Sequence, residues 1–294
     1  MRLEVLPGKY IVAVSGGVDS MVLLDLLRRM PELEIVVAHF NHNIREDSIK
    51  DEILVSTKAL EYKLPYEVGY GNLGPNTSEE QARTARYKFL EEMKQKHEAD
   101  SIITAHHQDD LIETALINIL RGTGPRGLVS MLLNTQIARP LLHLPKKSLQ
   151  AYAREQGLSW VEDSTNAKDI YLRNYLRGRI LTKLSDEERQ EILDYVQQVK
   201  ENYQETDGIM DSISEHLFSD EMTLKRNAFI LLPNSVAAEV VVRWLRQNNI
   251  YADRHSINRL VIAIKTAKPN TTHNVDKLFN LKLDTAEAHL TQLR

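Results

Sequence analysis

The six residues Ser15-Gly16-Gly17-Val18-Asp19-Ser20 have the types and spacing to hold an anion. Adjacent glycines let backbone N–H groups turn towards one point, and Ser15 and Ser20 add hydroxyl donors. A helix beginning at Val18 would add the partial positive charge of its N-terminus. The segment is not a Walker loop, because no Gly-Lys-Ser/Thr follows at the required spacing. Asp19 would repel a bare phosphate, but it fits as a carboxylate ligand of Mg²⁺ bridging phosphate oxygens. An ordinary glycine turn between a strand and a helix would need neither the serines nor the aspartate.

A second group is His106, His107, Asp109, Asp110 and Glu113. On a helix, His106, Asp110 and Glu113 fall at i, i+4 and i+7 and share one face. Two carboxylates and an imidazole suit a cationic amine, a metal or proton transfer. Acids near a helix start are also ordinary surface residues. Arg83 and Arg86 could clamp a carboxylate or phosphate, or simply pair with Glu79 or Glu80. His39 and His42 form an incomplete zinc set, so hydrogen bonding or packing near a nucleotide fits His39 and Phe40 better. Arg173 and Arg177, at i, i+4 and flanked by Tyr171 and Tyr175, suit phosphate contact and base stacking, or a basic helix in water.

The elements around these groups alternate. Strands are expected at Tyr10–Val14, Glu34–Phe40, Pro65–Tyr70 and Asp100–Ala105, and helices at Val18–Arg29, Glu46–Tyr62, Ser78–His97 and His107–Leu120. Thr77 and Glu80 have the spacing of a capping box. The expected fold class is α/β: a Rossmann-like parallel sheet with helices on both faces. Ligands of such sheets lie beyond the carboxyl ends of the strands, where SGGVDS, NHNIR and HHQDD all stand. Further on, Lys146–Gln156 reads as a helix, Leu158–Val161 as a short strand and Tyr171–Leu184 as a basic helix. The composition becomes acidic near Ser185, which predicts domains at 1–185 and 186–294. The second is expected to be smaller and mainly helical, with its clearest helices at 186–218, 240–247 and 256–265.

Composition narrows the classes. The chain has 294 residues, enough for two domains, with 42% hydrophobic and 27% charged residues. No apolar run approaches the roughly 18 residues of a membrane span, and the MRLEVLPGKY start lacks the features of a signal peptide. A cytoplasmic location with no membrane partner is expected. Zero cysteines exclude disulfides, thiolate metal sites, cysteine nucleophiles and persulfide relays in this sequence. Net charge is −4, but residues 121–183 contain eleven basic and four acidic residues, +7 against −11 elsewhere. That asymmetry points to a polyanionic partner or a solvated surface. The oligomeric state is open, a homodimer included.

SGGVDS after a strand resembles the pyrophosphate loop of ATP pyrophosphatases, the PP-loop superfamily. SGGVDS, NHNIR, QARTARY, AHHQDDLIET, RGTGPRGL, RPLL and EDSTN…RN..R, in this order from Tyr10 to Arg177, resemble the tRNA(Ile)-lysidine synthetase family. Ala105, Leu111 and Gln81 stand where that family often has Gly, Gln and Glu, so no polar role is expected at 111. The resemblance implies ATP with Mg²⁺, L-lysine and a CAU-anticodon tRNA(Ile) as ligands. It also implies an adenylated wobble cytidine, AMP and pyrophosphate as products, and lysidine. By the same resemblance Ser15, Gly16, Gly17, Val18, Asp19, Ser20, His39 and Phe40 would serve ATP, with Asp19 the metal ligand. Asp110 and Glu113 would accept lysine ammonium, Arg86 would meet its carboxylate, His106 would contact phosphate or move a proton, and Arg173 and Arg177 would meet RNA. The C-terminal domain would add a tRNA contact. An ammonia-dependent amidase of the NAD synthetase type is the alternative; it leaves the basic segment unexplained.

Overall fold

The computed structural model describes residues 1, 3–42, 48–71, 77–161 and 172–293, apart from the side chains of Glu79 and Asn174. The chain forms two compact units, Met1–Lys200 and Glu201–Arg294. The composition shift at Ser185 marks the start of a long helix rather than this division.

In the first unit, β1 (Gly8–Ala13), α1 (Val18–Leu27), β2 (Leu33–Asn41), α2 (Ser48–Glu61), β3 (Tyr66–Tyr70), α3 (Glu79–Lys96), β4 (Ser101–Ile103) and α4 (Gln108–Leu120) alternate. Then come α5 (Pro125–Leu128), α6 (Ser130–Leu133), β5 (Ile137–Ala138), α7 (Lys146–Glu155) and α8 (Leu172–Tyr175). A π-helical stretch, Leu176–Leu181, follows, and α9 (Asp186–Leu217) begins in the first unit and continues past Lys200 into the second. The sheet is parallel in the order β3-β2-β1-β4-β5, with Ile11 of β1 beside Val36 of β2 and Ile102 of β4. The order reverses between β1 and β4, which opens a crevice at their carboxyl ends.

Alternation along β1 explains the layering. Tyr10, Val12 and Val14 pack with α1, Val55 and Ala59 of α2, and Leu149 and Ala153 of α7. Ile11 faces the opposite layer, with Phe89 and Leu90 of α3 and Ile102. A strand buried on both faces reads as a continuous apolar run, as Tyr10–Val14 does. Leu111 and Ala115 of α4 share another cluster with Leu128 and Val196.

Four local expectations are corrected. The α3 capping box uses Ser78 and Gln81, one residue later than Thr77 and Glu80. His107 is the extended N-cap of α4, so His106 precedes the helix and does not share its face with Asp110 and Glu113. Leu158–Val161 is not a strand; Val161 N–H instead donates to the Gly16 carbonyl at 3.0 Å. The basic helix after Tyr171 is one α-turn continued by the π-helical stretch. The EDSTN segment, Tyr171 and residues 43–47 lie outside the described residues.

The second unit contains β6 (Phe218–Asp220), β7 (Thr223–Lys225), α10 (Arg226–Phe229), α11 (Asn234–Gln247), α12 (Arg254–Thr266), β8 (Thr271–Asn274), β9 (Phe279–Leu283) and β10 (Glu287–Gln292). Helices cover the expected 240–247 and 256–265, but α11 begins earlier, at Asn234, α10 is additional, and five short strands form an unexpected antiparallel sheet, β6-β7-β10-β9-β8. Leu281, Leu283, Ala288 and Leu290 turn one sheet face into a core with Phe229, Val240 and Trp244. Among the described residues no helix is long and apolar enough to cross a membrane.

Candidate active site

The crevice between the carboxyl ends of β1 and β4 holds a cavity of about 800 Å³. Segment SGGVDS forms the turn from β1 into α1. Gly16 has φ +92, a left-handed conformation that disfavours any Cβ. The serines staple the turn: the Ser20 hydroxyl donates to the Gly17 carbonyl at 2.9 Å and accepts from Ser15 N–H at 3.2 Å. Gly17 is the N-cap of α1 and supplies no side-chain cap, so N–H groups of the first helical turn are available to an anion. Ser15, Gly17, Val18, Asp19 and Ser20 all line the cavity.

One oxygen of Asp19, Oδ1, is buried without a hydrogen-bond partner. Its Oδ2 lies 3.5 Å from His107 Nε2 and 3.7 Å from Lys146 Nζ. A buried carboxylate oxygen without a donor is costly to leave unmatched, and a hard cation would satisfy it. That oxygen fits a hard cation such as Mg²⁺, and Asp19 is the residue that would hold it.

His107 links the glycine turn to α4, because its Nε2 is 3.5 Å from both Asp19 Oδ2 and Asp110 Oδ2. Burial alone would lower its pKa, but Asp19 and Asp110 hold it above the ordinary value. His106 behaves oppositely. Its Nδ1 is 2.7 Å from the Thr104 hydroxyl. Burial pushes its pKa down to about 4 against the pull of Asp110, aided by Arg139, Arg86 and Arg83. It is therefore a neutral hydrogen-bonding group at pH 7.

The acidic pair on α4 has protein partners. Arg177 donates to Asp110 Oδ1 at 2.9 Å and also to Glu113, and Arg173 pairs with Glu113. Burial disfavours the charged form of Asp110, yet His107, His106, the His107 N–H and Arg177 outweigh it and lower its pKa. Glu113 is 1% exposed; burial raises its pKa while Arg177 and Arg173 pull it back. The residues read separately as amine acceptors and RNA contacts thus form one mixed-charge cluster. Asp110 and Arg177 line the cavity.

Arg86 also lines the cavity, 5.3 Å from the Tyr87 ring centre, with Arg83 4.9 Å from the same ring. His39 and Phe40 line it as well. His39 Nδ1 is 2.8 Å from the Val14 carbonyl, so Nδ1 carries the proton and Nε2 is an acceptor. Burial lowers its pKa, opposed by that bond, Glu52 and Asp51. Among the described residues, His39 and His42 belong to no group of three ligands able to hold a metal.

Sequence reasoning assigned no role to Lys146, Gln150 or Trp160, yet all three line the cavity. Their only local signal is a helix start after RPLL. The basic segment is also less exposed than its count implied. Lys146 faces Asp19, Lys147 faces Asp186 and Arg173 and Arg177 face the α4 acids, while Arg139 donates to the carbonyls of Met131, Asn134 and Ile137. Arg121, Arg126, Arg154, Arg179 and Lys183 stay exposed, as does Lys147 beside Asp186.

Comparison with known proteins agrees with this geometry. Residues 4–184 match the family model of the PP-loop domain, an ATP-binding one. The chain is 38% identical over 186 residues to a tRNA(Ile)-lysidine synthase of Thermotoga sp. (strain RQ2), covering 60% of this chain and 45% of that one. It is 32% identical over 268 residues to the enzyme of the same name from Caldanaerobacter subterraneus subsp. tengcongensis, covering 87% and 56%. The chain thus spans about half the length of these curated relatives. Among solved structures, the U34-tRNA thiolase NcsA from Methanococcus maripaludis is similar, with a TM-score of 0.57 at 18% identity over 66% of this chain and 72% of that one. At that identity the likeness concerns the fold alone. With its glycine turn, its sheet order and a match across most of the first unit, the chain belongs to the PP-loop domain family.

Proposed function

We propose that this protein ligates L-lysine to C2 of the wobble cytidine in a CAU-anticodon tRNA(Ile), consuming ATP and releasing AMP and pyrophosphate. The observation that carries this reading is one cavity lined both by an anion-binding turn and by the ion-paired Asp110 and Arg177. The relatives named tRNA(Ile)-lysidine synthase support the choice of substrates.

In the first step the cytosine O2 attacks the α-phosphorus. An O–P bond forms, the bond to the β-phosphate oxygen breaks, and pyrophosphate leaves. The turn's N–H groups and the Ser15 hydroxyl bind the phosphates, while the Ser20 hydroxyl holds the turn in shape through the Gly17 carbonyl. Mg²⁺ held by Asp19 would neutralise phosphate charge. Neutral His106 hydrogen-bonds at the cavity wall without adding charge. In the second step the lysine ε-amine attacks C2, the C2–O bond breaks, and AMP leaves.

A free lysine amine has a pKa near 10.4, so it must lose a proton before attack. Of the acids on α4, Asp110 lines the cavity and can accept it, while Glu113, 1% exposed, shares Arg177 with Asp110. Asp110 and Glu113 already pair with Arg177 and Arg173, but each carboxylate has about four lone-pair positions. An ammonium can share these oxygens. The guanidinium N–H groups left over, with Arg86, suit the amino acid's carboxylate or an RNA phosphate. The second unit and the exposed Arg121, Arg126 and Arg154 offer further RNA contacts. A wobble base in an anticodon loop unstacks at low cost, so C2 is reachable.

The test is mass spectrometry of nucleosides from tRNA(Ile) incubated with the protein, ATP and labelled lysine, with the spent nucleotide identified alongside. Labelled lysidine with AMP and pyrophosphate is the expected result. ADP as the product, or no nucleotide consumption, would overturn the reading. Pyrophosphate release that requires ammonia and a nicotinic-acid nucleotide would establish the amidase alternative.

A further inference from the structure

We propose that Lys146 binds the β,γ-phosphate end of the nucleotide held by the glycine turn, an inference that rests on the ATP reading above. Among the described residues, three cationic side chains of Arg and Lys line the cavity: Arg86, Lys146 and Arg177. Arg177 is engaged by Asp110 and Glu113, and Arg86 lies beside Tyr87 on α3. Lys146 is the one that faces the turn. Its Nζ stands 3.7 Å from Asp19 Oδ2, within ion-pair range but beyond a hydrogen bond, so its N–H donors remain open to another acceptor. The turn itself offers neutral N–H and hydroxyl donors beside one carboxylate. A nucleoside triphosphate arriving there needs a cation from the protein in addition to any metal.

The position of Lys146 is built into the fold. It is the first residue of α7, whose Leu149 and Ala153 share a core with Leu23 and Leu27 of α1. The Tyr152 hydroxyl ties α7 to α1 through Asp25 at 2.8 Å, and Val161, just beyond α7, donates to the Gly16 carbonyl. The base of Lys146 is therefore fixed relative to the turn, while its side chain is 39% exposed and free to swing from Asp19 to phosphate. Gln150, one turn along the same helix face, lines the cavity beside it. The neighbouring Lys147 pairs with Asp186 at 2.6 Å and does not line the cavity, so it is an internal control.

The experiment is equilibrium dialysis of ATP and of AMP against the full-length wild type, Lys146→Gln, Lys146→Arg and Lys147→Gln. Loss of one charge-assisted contact is expected to weaken ATP binding by Lys146→Gln about tenfold to a hundredfold, with AMP binding changed less than about twofold. Lys146→Arg should keep most of the ATP affinity, and Lys147→Gln should match the wild type. Lys146→Gln binding ATP as the wild type does, or losing ATP and AMP equally, would overturn the role of Lys146. A wild type without preference for ATP over AMP would instead overturn the ATP reading and this inference with it. Thermal unfolding of each variant identifies any that fail to fold, in which case Lys146→Met is dialysed in place of the glutamine variant.

Discussion

Helix α1 carries two aspartates with opposite fates. Asp25, 1% exposed, receives Arg28 Nε at 2.8 Å, Arg29 NH2 at 2.8 Å and the Tyr152 hydroxyl at 2.8 Å, with the Tyr62 hydroxyl at 3.4 Å. Burial works against its charge, but Tyr152, Arg28 and Arg29 outweigh it and lower its pKa. Asp19, less than two turns earlier, is 25% exposed and has one buried oxygen with no partner. The two side chains are chemically identical. One is saturated by the protein and joins α1 to α7 and to Tyr62, just past the end of α2; the other is left with capacity, at a turn shaped for an anion. Unspent hydrogen-bonding capacity separates the candidate site from the fold's own polar core.

The comparison can be broken most easily at Asp19. Asp19→Asn is expected to lower pyrophosphate formation about a thousandfold with little change in thermal unfolding. Normal release by that variant would place Asp19 with Asp25 as a structural residue. Next in size is Asp25→Ala, which strands two guanidiniums and two hydroxyls. About 2–3 kcal/mol of stability should be lost in urea unfolding, less than for a fully buried pair because Arg28 and Arg29 are partly exposed. The folded fraction should retain turnover, and a selective loss of turnover at unchanged stability would erase the distinction.

Glu113→Gln and Asp110→Asn sharpen the role of the α4 acids. Each should raise the lysine KM about tenfold while adenylated tRNA still accumulates. Unchanged lysine saturation in both variants would remove lysine from this cluster. The smallest effect is a slope. His106 has its folded pKa pushed down to about 4, so its contribution to stability is lost as pH falls from about 6.5 towards that value. Asp25, with a lowered pKa, contributes stability above about pH 3.9 that is lost as pH falls through its folded value. His106 should therefore add up to about 1.4 kcal/mol per pH unit to the first acid slope, which His106→Asn reduces by that share while the share of His39, also lowered by burial, remains. A later loss should be smaller in Asp25→Ala but not abolished, because Asp110, Glu52 and Glu67 also have lowered pKa values. A single acid transition unaffected by either substitution would refute both assignments.

Much of this architecture is legible in one dimension. The apolar runs of β1 and β2, the periodic helices and the polar SGGVDS and HHQDD segments locate the sheet and the ends of its strands, because backbone periods of 2 and 3.6 are properties of local sequence. The sheet of the second unit escaped because its strands are three to six residues long, although Leu281–Leu283 and Ala288–Leu290 alternate in hindsight. His106 was misplaced on the α4 face because the N-cap at His107 is a matter of one residue's dihedrals, which spacing does not reveal.

Order of elements, the turn that needs glycine at position 16 and the identity of the acids on α4 were determined by sequence alone. Which charges meet was decided by tertiary structure. Arg177 reaches Asp110 across 67 positions, and Lys146 reaches Asp19 through the docking of α7 on α1. Coulomb attraction and hydrogen bonding depend on distance in space, and no periodicity in the chain encodes which cation folds back onto which carboxylate.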